Sequence, residues 1–132
     1  MTLNEVFEQA RQDSYASPLD GDGYEARVLY GCKILRDNKT GKVTLLNTQL
    51  GGDYYEPLNK EEIEVFQQKG WRCGVYVLSL HNYRSKLNKV EKAIHREMNG
   101  RRNPKQIQSL KSHRERLMKR YTFIKKKFNL IQ

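Results

Sequence analysis

The chain has 132 residues, of which 37% are apolar and 30% are charged, and its formal net charge is +10. This length fits one domain, or one small domain plus an appendage, with a modest core. The apolar runs are too short to span a membrane, the first residues do not form a secretory signal, and two cysteines cannot build a disulfide framework. We therefore expect a cytoplasmic protein that does not insert into membranes.

The charge is distributed unevenly along the chain. Residues 1–81 carry 9 Lys+Arg and 12 Asp+Glu, a net of −3, whereas residues 82–132 carry 16 Lys+Arg and 3 Asp+Glu, a net of +13. Such asymmetry is typical of proteins that contact nucleic acids or membrane surfaces. We divide the chain into a small α+β domain with an N-terminal helix, residues 1–81, and a basic helical hairpin, residues 82–132. The hairpin is expected to pack on the domain or to project from it as part of one structural unit.

The first predicted element is a helix over residues 3–12. Thr2 and Glu5 have the spacing of a capping box, and apolar residues recur at helical intervals after the cap. Residues 14–23 are rich in Asp and Gly, which predicts a loop. This loop could tether a mobile helix or wrap around the domain.

Three segments predict a small sheet. Residues 26–36 and 43–48 have the pattern of two strands, and the turn-forming residues 37–42 between them indicate a β-hairpin. Residues 73–80 form a largely apolar run that we interpret as a third, buried strand. A helical crossover would set that strand beside the first one, which gives the strand order 2-1-3.

A helix over residues 59–69 precedes the third predicted strand. Asn59 and Glu62 form a second capping box, and Gly70 lies where a helix C-cap is expected. Trp71 follows directly and is expected to pack in the core.

The C-terminal residues have the clearest pattern. Apolar residues recur at spacings of 4, 3, 4 and 4 over a helix at 82–98, and a heptad-like seam follows over a helix at 104–128. The link between the two helices is short, which favours an antiparallel pair. The predicted fold is therefore α+β, with a small three-stranded sheet packed with helices and a long C-terminal antiparallel helical hairpin.

The hairpin carries basic residues at a density suited to phosphate groups. Lysine and arginine side chains that neutralise backbone phosphates release counterions, and this release favours binding. The candidate nucleic-acid-binding residues are Lys89, Lys92, Arg96, Arg101, Arg102, Lys105, Arg116, Lys119, Arg120 and Lys127. The leading hypothesis is a non-catalytic accessory protein that binds DNA or RNA without sequence specificity.

Two other interpretations of the hairpin remain open. It could be a protein-interaction module that docks on an acidic protein partner. Such a module would be a regulator or a structural subunit, of the kind that a phage encodes. It could also be a solubilising surface that happens to be basic. The sequence does not indicate an oligomeric state.

Two further patterns have more than one interpretation. Arg114 interrupts the apolar seam, where a polar residue commonly sets helix register, although a buried contact with Glu91 is the alternative. Tyr54 and Tyr55 could stack on bases, but acidic neighbours would repel phosphate, so we interpret them as covering the sheet edge or as protein contacts.

No pattern of residues predicts an enzyme, a cofactor or a metal site. The three histidines are scattered, and Cys32 and Cys73 lack the spacing of a zinc site. The acidic loop at 20–24 fails the spacing of a calcium loop. A divergent metal-dependent nuclease is a minor alternative, because nothing indicates that the loop carboxylates converge.

Overall fold

The computed structural model describes residues 1–14, 23–48 and 55–131 and confirms an α+β fold with a C-terminal helical hairpin. Its elements are helix α1 (Leu3–Asp13), strands β1 (Tyr24–Leu29), β2 (Cys32–Asp37), β3 (Val43–Thr48) and β4 (Tyr55–Pro57), and helices α2 (Lys60–Asn99) and α3 (Pro104–Ile131). The chain divides into two compact units, Met1–Leu78 and Ser79–Gln132, so that α2 contributes to both.

Helix α1 begins at its predicted cap. The backbone N–H of Glu5 donates to Thr2 Oγ1 at 3.2 Å, which satisfies one of the free amide groups of the first turn. Val6, Phe7 and Ala10 have no exposed surface, so the apolar side of the helix is fully buried. Most of the loop predicted at 14–23 lies outside the described residues.

The sheet differs from the prediction in its number of strands and in its order. It has four antiparallel strands in the order β1-β2-β3-β4. The single strand predicted at 26–36 is wrong, because the chain reverses at Tyr30 and Gly31, where φ is 44° and 86°. Two consecutive residues in the left-handed region make the tight turn that suits the twist of a hairpin. Leu29 and Cys32 consequently face each other as partners across β1 and β2.

The predicted turn between β2 and β3 is confirmed. Asp37 Oδ1 accepts hydrogen bonds from the backbone N–H groups of Lys39 at 2.8 Å and Thr40 at 3.0 Å. These bonds, that of Thr40 foremost, lower the pKa of the Asp37 carboxyl because they stabilise its ionised form. Gly41 completes the turn with a φ of 71°.

The third predicted strand is wrong, because residues 73–80 belong to α2. The predicted start of the preceding helix is confirmed: Glu62 N–H donates to Asn59 Oδ1 at 2.8 Å, and Asn59 N–H donates to Glu62 Oε1 at 3.0 Å. Gly70 does interrupt the helix, with a φ of 82°. The helix then restarts at once, and the side chain of Gln9 accepts a hydrogen bond from Trp71 N–H, at the start of the new turn, at 2.9 Å.

The core of the first unit lies between the sheet and two helices. Phe7 from α1, Ile34 from β2 and Phe66, Trp71 and Val75 from α2 are buried in one cluster. The burial of Trp71 confirms its predicted place. Each large apolar side chain in such a core contributes about 1.5–3 kcal/mol relative to exposure.

Candidate functional site

The hairpin in the second unit is formed by residues 79–99 of α2 and by α3. Glu91 Oε1 and Arg114 Nη1 form an ion pair at 3.1 Å between the two helices. Lys86, earlier in α2, is close enough to Arg120, later in α3, for the two charges to interact. Since the partner number rises along α3 as it falls along α2, the two helices run antiparallel.

Apolar residues hold the hairpin together along its seam. Val90 and Ile94 of α2 and Leu117 and Ile124 of α3 are each less than 9% exposed. Arg114 also lies along the seam, but its side chain remains 38% exposed and that of Glu91 remains 49% exposed. The pair is therefore solvated rather than buried, and a solvated pair contributes only about 0–1 kcal/mol.

The end of α2 is closed by Arg102. Its backbone N–H donates to the carbonyl of Glu97 at 2.9 Å, and its side-chain Nε donates to the carbonyl of Met98 at 3.1 Å. These are carbonyls of the last helical turn, which have no partner within the helix. Arg102 therefore has a structural contact in addition to its charge.

The start of α3 is closed by Asn103. Its Oδ1 accepts the backbone N–H groups of Lys105 at 3.1 Å and Gln106 at 3.4 Å, which confirms the predicted cap. Its own N–H donates to the carboxylate of Glu97 at 3.3 Å. The tip of the hairpin is thus a structured turn, and Arg101 is exposed on it.

All ten candidate residues are exposed, and they occupy α2, the tip and α3. Within residues 1–14, 23–48 and 55–131, none of the ten forms an ion pair with a carboxylate. Their positive charges are therefore not neutralised by acids of the described chain.

Eight of the ten lie on one face of the hairpin. Lys89 comes one residue before the seam residue Val90, and Arg116 comes one residue before the seam residue Leu117. In an antiparallel pair, equal offsets from the seam place residues on the same face. At about 100° per residue, the basic residues of α2 share an arc of about 60° and those of α3 an arc of about 100°. This basic face consists of Lys89, Lys92 and Arg96 of α2 and Lys105, Arg116, Lys119, Arg120 and Lys127 of α3.

Lys86 shows that the two halves of the basic face adjoin. Its pKa is lowered first by burial and then by the charges of Lys89, on its own helix, and Arg120, on the other. Like charges close to a lysine disfavour its protonated form. Cations of both helices therefore lie close together around Lys86.

Two of the three carboxylates of the hairpin lie away from the basic face, and the third, Glu115, borders it. Glu91 comes one residue after Val90 and is paired with Arg114 on the opposite face. Glu115 lines a cavity of about 600 Å³ on that same side, together with Glu91. Glu97 is engaged at the tip with the backbone of Asn103. Glu115 also lines a second groove together with Lys119, so an acid borders the basic face although none lies within the arc of its eight cations.

Phe123 is a surface residue that the sequence pattern did not single out. It is 50% exposed and comes one residue before the seam residue Ile124, which places it on the basic face. Lys127 Nζ lies 5.5 Å from the centre of its ring. One local pattern in the sequence could have drawn attention to Phe123, because lysine or arginine stands at each of the positions three and four residues before and after it.

The other candidate positions lie in the first unit. Tyr54 is outside the described residues, and Tyr55 is 36% exposed, with Lys33 Nζ at 4.5 Å from its ring centre. Cys32 and Cys73 are free thiols, and burial raises the pKa of Cys32 to about 12. In the described part of the chain, no three His, Cys, Asp or Glu residues are grouped so that they could hold a metal ion.

Comparisons with protein-family models, with curated proteins and with solved structures find no significant match to this chain. Within the described ranges, every helix is either too short or too polar to cross a membrane. Function is therefore argued from the hairpin geometry.

Proposed function

We propose that this protein is a non-catalytic nucleic-acid-binding accessory protein that contacts phosphates through the basic face and tip of its hairpin. The observation that supports the proposal most directly is the segregation of charge. Exposed cations from both helices share one face, while Glu91 and Glu97 lie elsewhere and Glu115 lies only at its border. A solubilising surface needs no such segregation, because mixed charges solubilise equally well.

The dimensions of the basic face suit a polyanion. From Lys105 to Lys127, the α3 half extends about 33 Å at a rise of about 1.5 Å per residue. Nucleic acids present phosphates continuously over such a length, and binding is then driven largely by the release of condensed counterions. Side chains that contact phosphates carry no sequence information, so the proposed binding is sequence-nonspecific.

Salt-dependent binding to a duplex and to a single strand tests the proposal. Affinity should fall steeply between about 50 and 200 mM salt, linearly in a logarithmic plot. The double variant Lys119→Gln/Arg120→Gln should weaken binding and reduce the slope of that plot by about 2, because each lost phosphate contact removes about one counterion.

A matched control uses the opposite face of the same helix. The double variant Lys111→Gln/Lys125→Gln removes the same formal charge but leaves the basic face intact. We expect its affinity and its salt slope to stay closer to those of the parent protein. Equal losses in the two double variants would contradict a face-specific contact.

Docking on an acidic protein is the second candidate, and it would use the same cations. The salt titration separates the two candidates. If the parent protein shows no measurable binding to either nucleic acid at low salt, the nucleic-acid proposal fails and the acidic partner is favoured.

A further inference from the structure

A groove of about 600 Å³ runs along the hairpin on the side opposite the basic face. Helix α2 contributes Leu87 and Glu91 to its wall, and α3 contributes Met118. Met118 is 52% exposed and Leu87 is half-buried, so the groove has an apolar part that is open to solvent in the single chain.

The charged residues that line this groove sum to zero. Lys111 and Arg114 are balanced by Glu91 and Glu115, although residues 82–132 as a whole carry a net charge of +13. Two copies of the basic face would repel each other, whereas two copies of a surface that carries both signs equally can attract. We call this surface the neutral groove.

Two of the charges in the neutral groove have no ionic partner. Glu91 and Arg114 are paired with each other, but neither Lys111 nor Glu115 forms an ion pair with any residue that the structure describes. They are four positions apart, so they stand on the same side of α3 and about 6 Å apart along its axis. A second surface that presents the same two charges in reverse order would pair with both.

The α3 residues of the neutral groove are arranged symmetrically along the helix. These residues are Gln108, Lys111, Ser112, Arg114, Glu115 and Met118. They form three pairs about position 113, namely 112 with 114, 111 with 115, and 108 with 118. A two-fold axis at that level, perpendicular to the helix, sets two copies of α3 antiparallel and places the members of each pair opposite each other. Lys111 of each copy then faces Glu115 of the other.

We propose that the neutral groove is the interface of a homodimer, in which Lys111 of each copy pairs with Glu115 of the other and Met118 is buried at both ends of the contact. Such a contact uses the same patch on both copies and closes as a dimer. The inference goes beyond the proposed function and does not depend on it. If both hold, the dimer presents a basic face on each side and can bridge two segments of nucleic acid.

Repulsion between the two basic faces does not prevent this dimer. The faces lie on the far sides of the two hairpins, so they are separated by about two helix diameters, or about 20 Å. That distance exceeds the Debye length of about 8 Å at 0.15 M salt, whereas the direct pairs of Lys111 with Glu115 are screened much less. Physiological salt is therefore the condition for the test.

Sedimentation equilibrium tests the dimer with the full chain, after nuclease treatment and a high-salt wash remove bound nucleic acid. Between about 1 and 300 µM protein, a range that spans micromolar dissociation constants, the mean mass should rise from 15.6 kDa towards twice that value. Glu115→Lys should raise the dissociation constant of the dimer at least about tenfold, because two like-charge pairs replace two opposite-charge pairs. Lys111→Glu should do the same.

The charge swap Lys111→Glu/Glu115→Lys gives a readout that a general loss of stability would not produce. It has the net charge of the parent protein and restores both opposite-charge pairs across the two-fold axis, so dimerisation should recover. Far-ultraviolet circular dichroism of each variant shows whether the hairpin remains helical.

The apolar part of the contact has its own matched pair of variants. Met118→Lys should weaken the dimer, because it places a charge where the groove is buried by the second copy. Met98→Lys should leave the dimer intact, since Met98 is exposed to a similar extent, 45%, but does not line the groove.

The outcomes separate this inference from the proposed function. A parent protein that stays at 15.6 kDa over the whole range overturns the dimer. A dimer that survives Glu115→Lys, or one that the charge swap does not restore, overturns the neutral groove as its interface. If a larger mass is seen only before nucleic acid is removed, nucleic acid joined the copies and the inference fails. If the parent protein dimerises but binds neither duplex nor single strand, the proposed function fails and the dimer stands.

The dimer leaves the binding experiment with short oligonucleotides unchanged. An oligonucleotide no longer than one basic face occupies a single hairpin, whether the protein is a monomer or a dimer. Lys111→Gln/Lys125→Gln therefore remains a control for the basic face even though Lys111 lies in the neutral groove.

Discussion

Arg102, at the tip of the hairpin, has a strained backbone conformation and a side chain that closes the end of α2. Its φ of 51° lies in the left-handed region, where a residue with a Cβ is less stable than glycine by about 1–2 kcal/mol. Its side chain compensates in part by donating to the carbonyl of Met98 at the end of α2. A cation at this end of a helix also interacts favourably with the helix dipole.

Substitutions of Arg102 can separate its backbone cost from its charge. Arg102→Ala keeps the left-handed backbone and loses the side-chain hydrogen bond, so we expect a free energy of unfolding about 1 kcal/mol lower than that of the parent. Arg102→Gly loses the same bond but relieves the backbone, so it should be about 1 kcal/mol more stable than Arg102→Ala. Denaturant unfolding measures both values.

The two variants of Arg102 remove the same positive charge. If Arg102 contacts phosphate, they should therefore lose nucleic-acid affinity to the same extent despite their different stabilities. An alanine variant as stable as the glycine variant would refute the assignment of backbone cost to Arg102.

Helix α2 shows where the sequence pattern stops being informative about an element. The largely apolar run at 73–80 fits a buried strand and a buried helix equally well, because so short a run with hardly any polar residues has no visible period. One contact that favours the helix comes from the side chain of Gln9, 62 residues before Trp71. No local pattern reports a contact so distant in sequence.

The turn at Tyr30 and Gly31 shows the same limit at shorter range. Asn-Gly and Asp-Gly are the usual pairs for such turns, and Tyr-Gly is not. In the structure, the ring of Tyr30 lies 5.5 Å from that of Tyr76, which helps to hold a tyrosine at a φ of 44°. The N-cap at Thr2 and the capping box at Asn59 were predictable, by contrast, because each is formed within four residues.

The hairpin was predictable as an element, but its shared face was not. Helical spacing alone places Lys89, Lys92 and Arg96 in one stripe of α2. The short link already favoured an antiparallel pair, and a contact of Glu91 with Arg114 was one alternative for the seam, but the register that sets this stripe beside the cations of α3 is given by the structure. The exposure of Phe123 likewise required knowing which α3 residues fill the seam.

Gln9 should control the stability of α2 from outside the helix. Gln9→Ala removes the acceptor of the Trp71 N–H, which lies at the first residue after the break at Gly70. Because loss of a cap costs about 0.5–2 kcal/mol, we expect the free energy of unfolding to fall by about 1–2 kcal/mol. Urea unfolding followed by far-ultraviolet circular dichroism checks this value.

Gln12→Ala is the matched control for Gln9→Ala, because Gln12 is exposed on the same helix. It should change stability by less than about 0.5 kcal/mol. If the two variants are equally stable, the bond from Trp71 to Gln9 does not determine how α2 restarts.

At the scale of the whole molecule, the two parts of the chain differ in how their charges are arranged. In the first unit, cations are matched by acids: Arg11 is bonded to Glu25 at 2.9 Å, and Arg36 to Glu8 at 2.8 Å. Residues 82–132 carry 16 Lys+Arg against 3 Asp+Glu. Folding therefore brings unbalanced positive charges together in the hairpin, and the resulting repulsion opposes the compact state.

This repulsion predicts an unusual response of thermal stability to salt. Sodium chloride screens exposed charges, and the Debye length falls to about 8 Å at 0.15 M. Screening the hairpin should outweigh the loss of the exposed ion pairs, since such pairs contribute only about 0–1 kcal/mol each. We expect Tm to rise by about 4 °C between low and physiological salt, equivalent to about 1 kcal/mol.

In Lys119→Gln/Arg120→Gln, Tm should be higher at low salt and should rise less, because two of the repelling charges are gone. Thermal melts at matched ionic strengths measure both effects. A Tm that falls with added salt would contradict the prediction, because it would show that repulsion among the cations of the basic face is too weak to oppose folding.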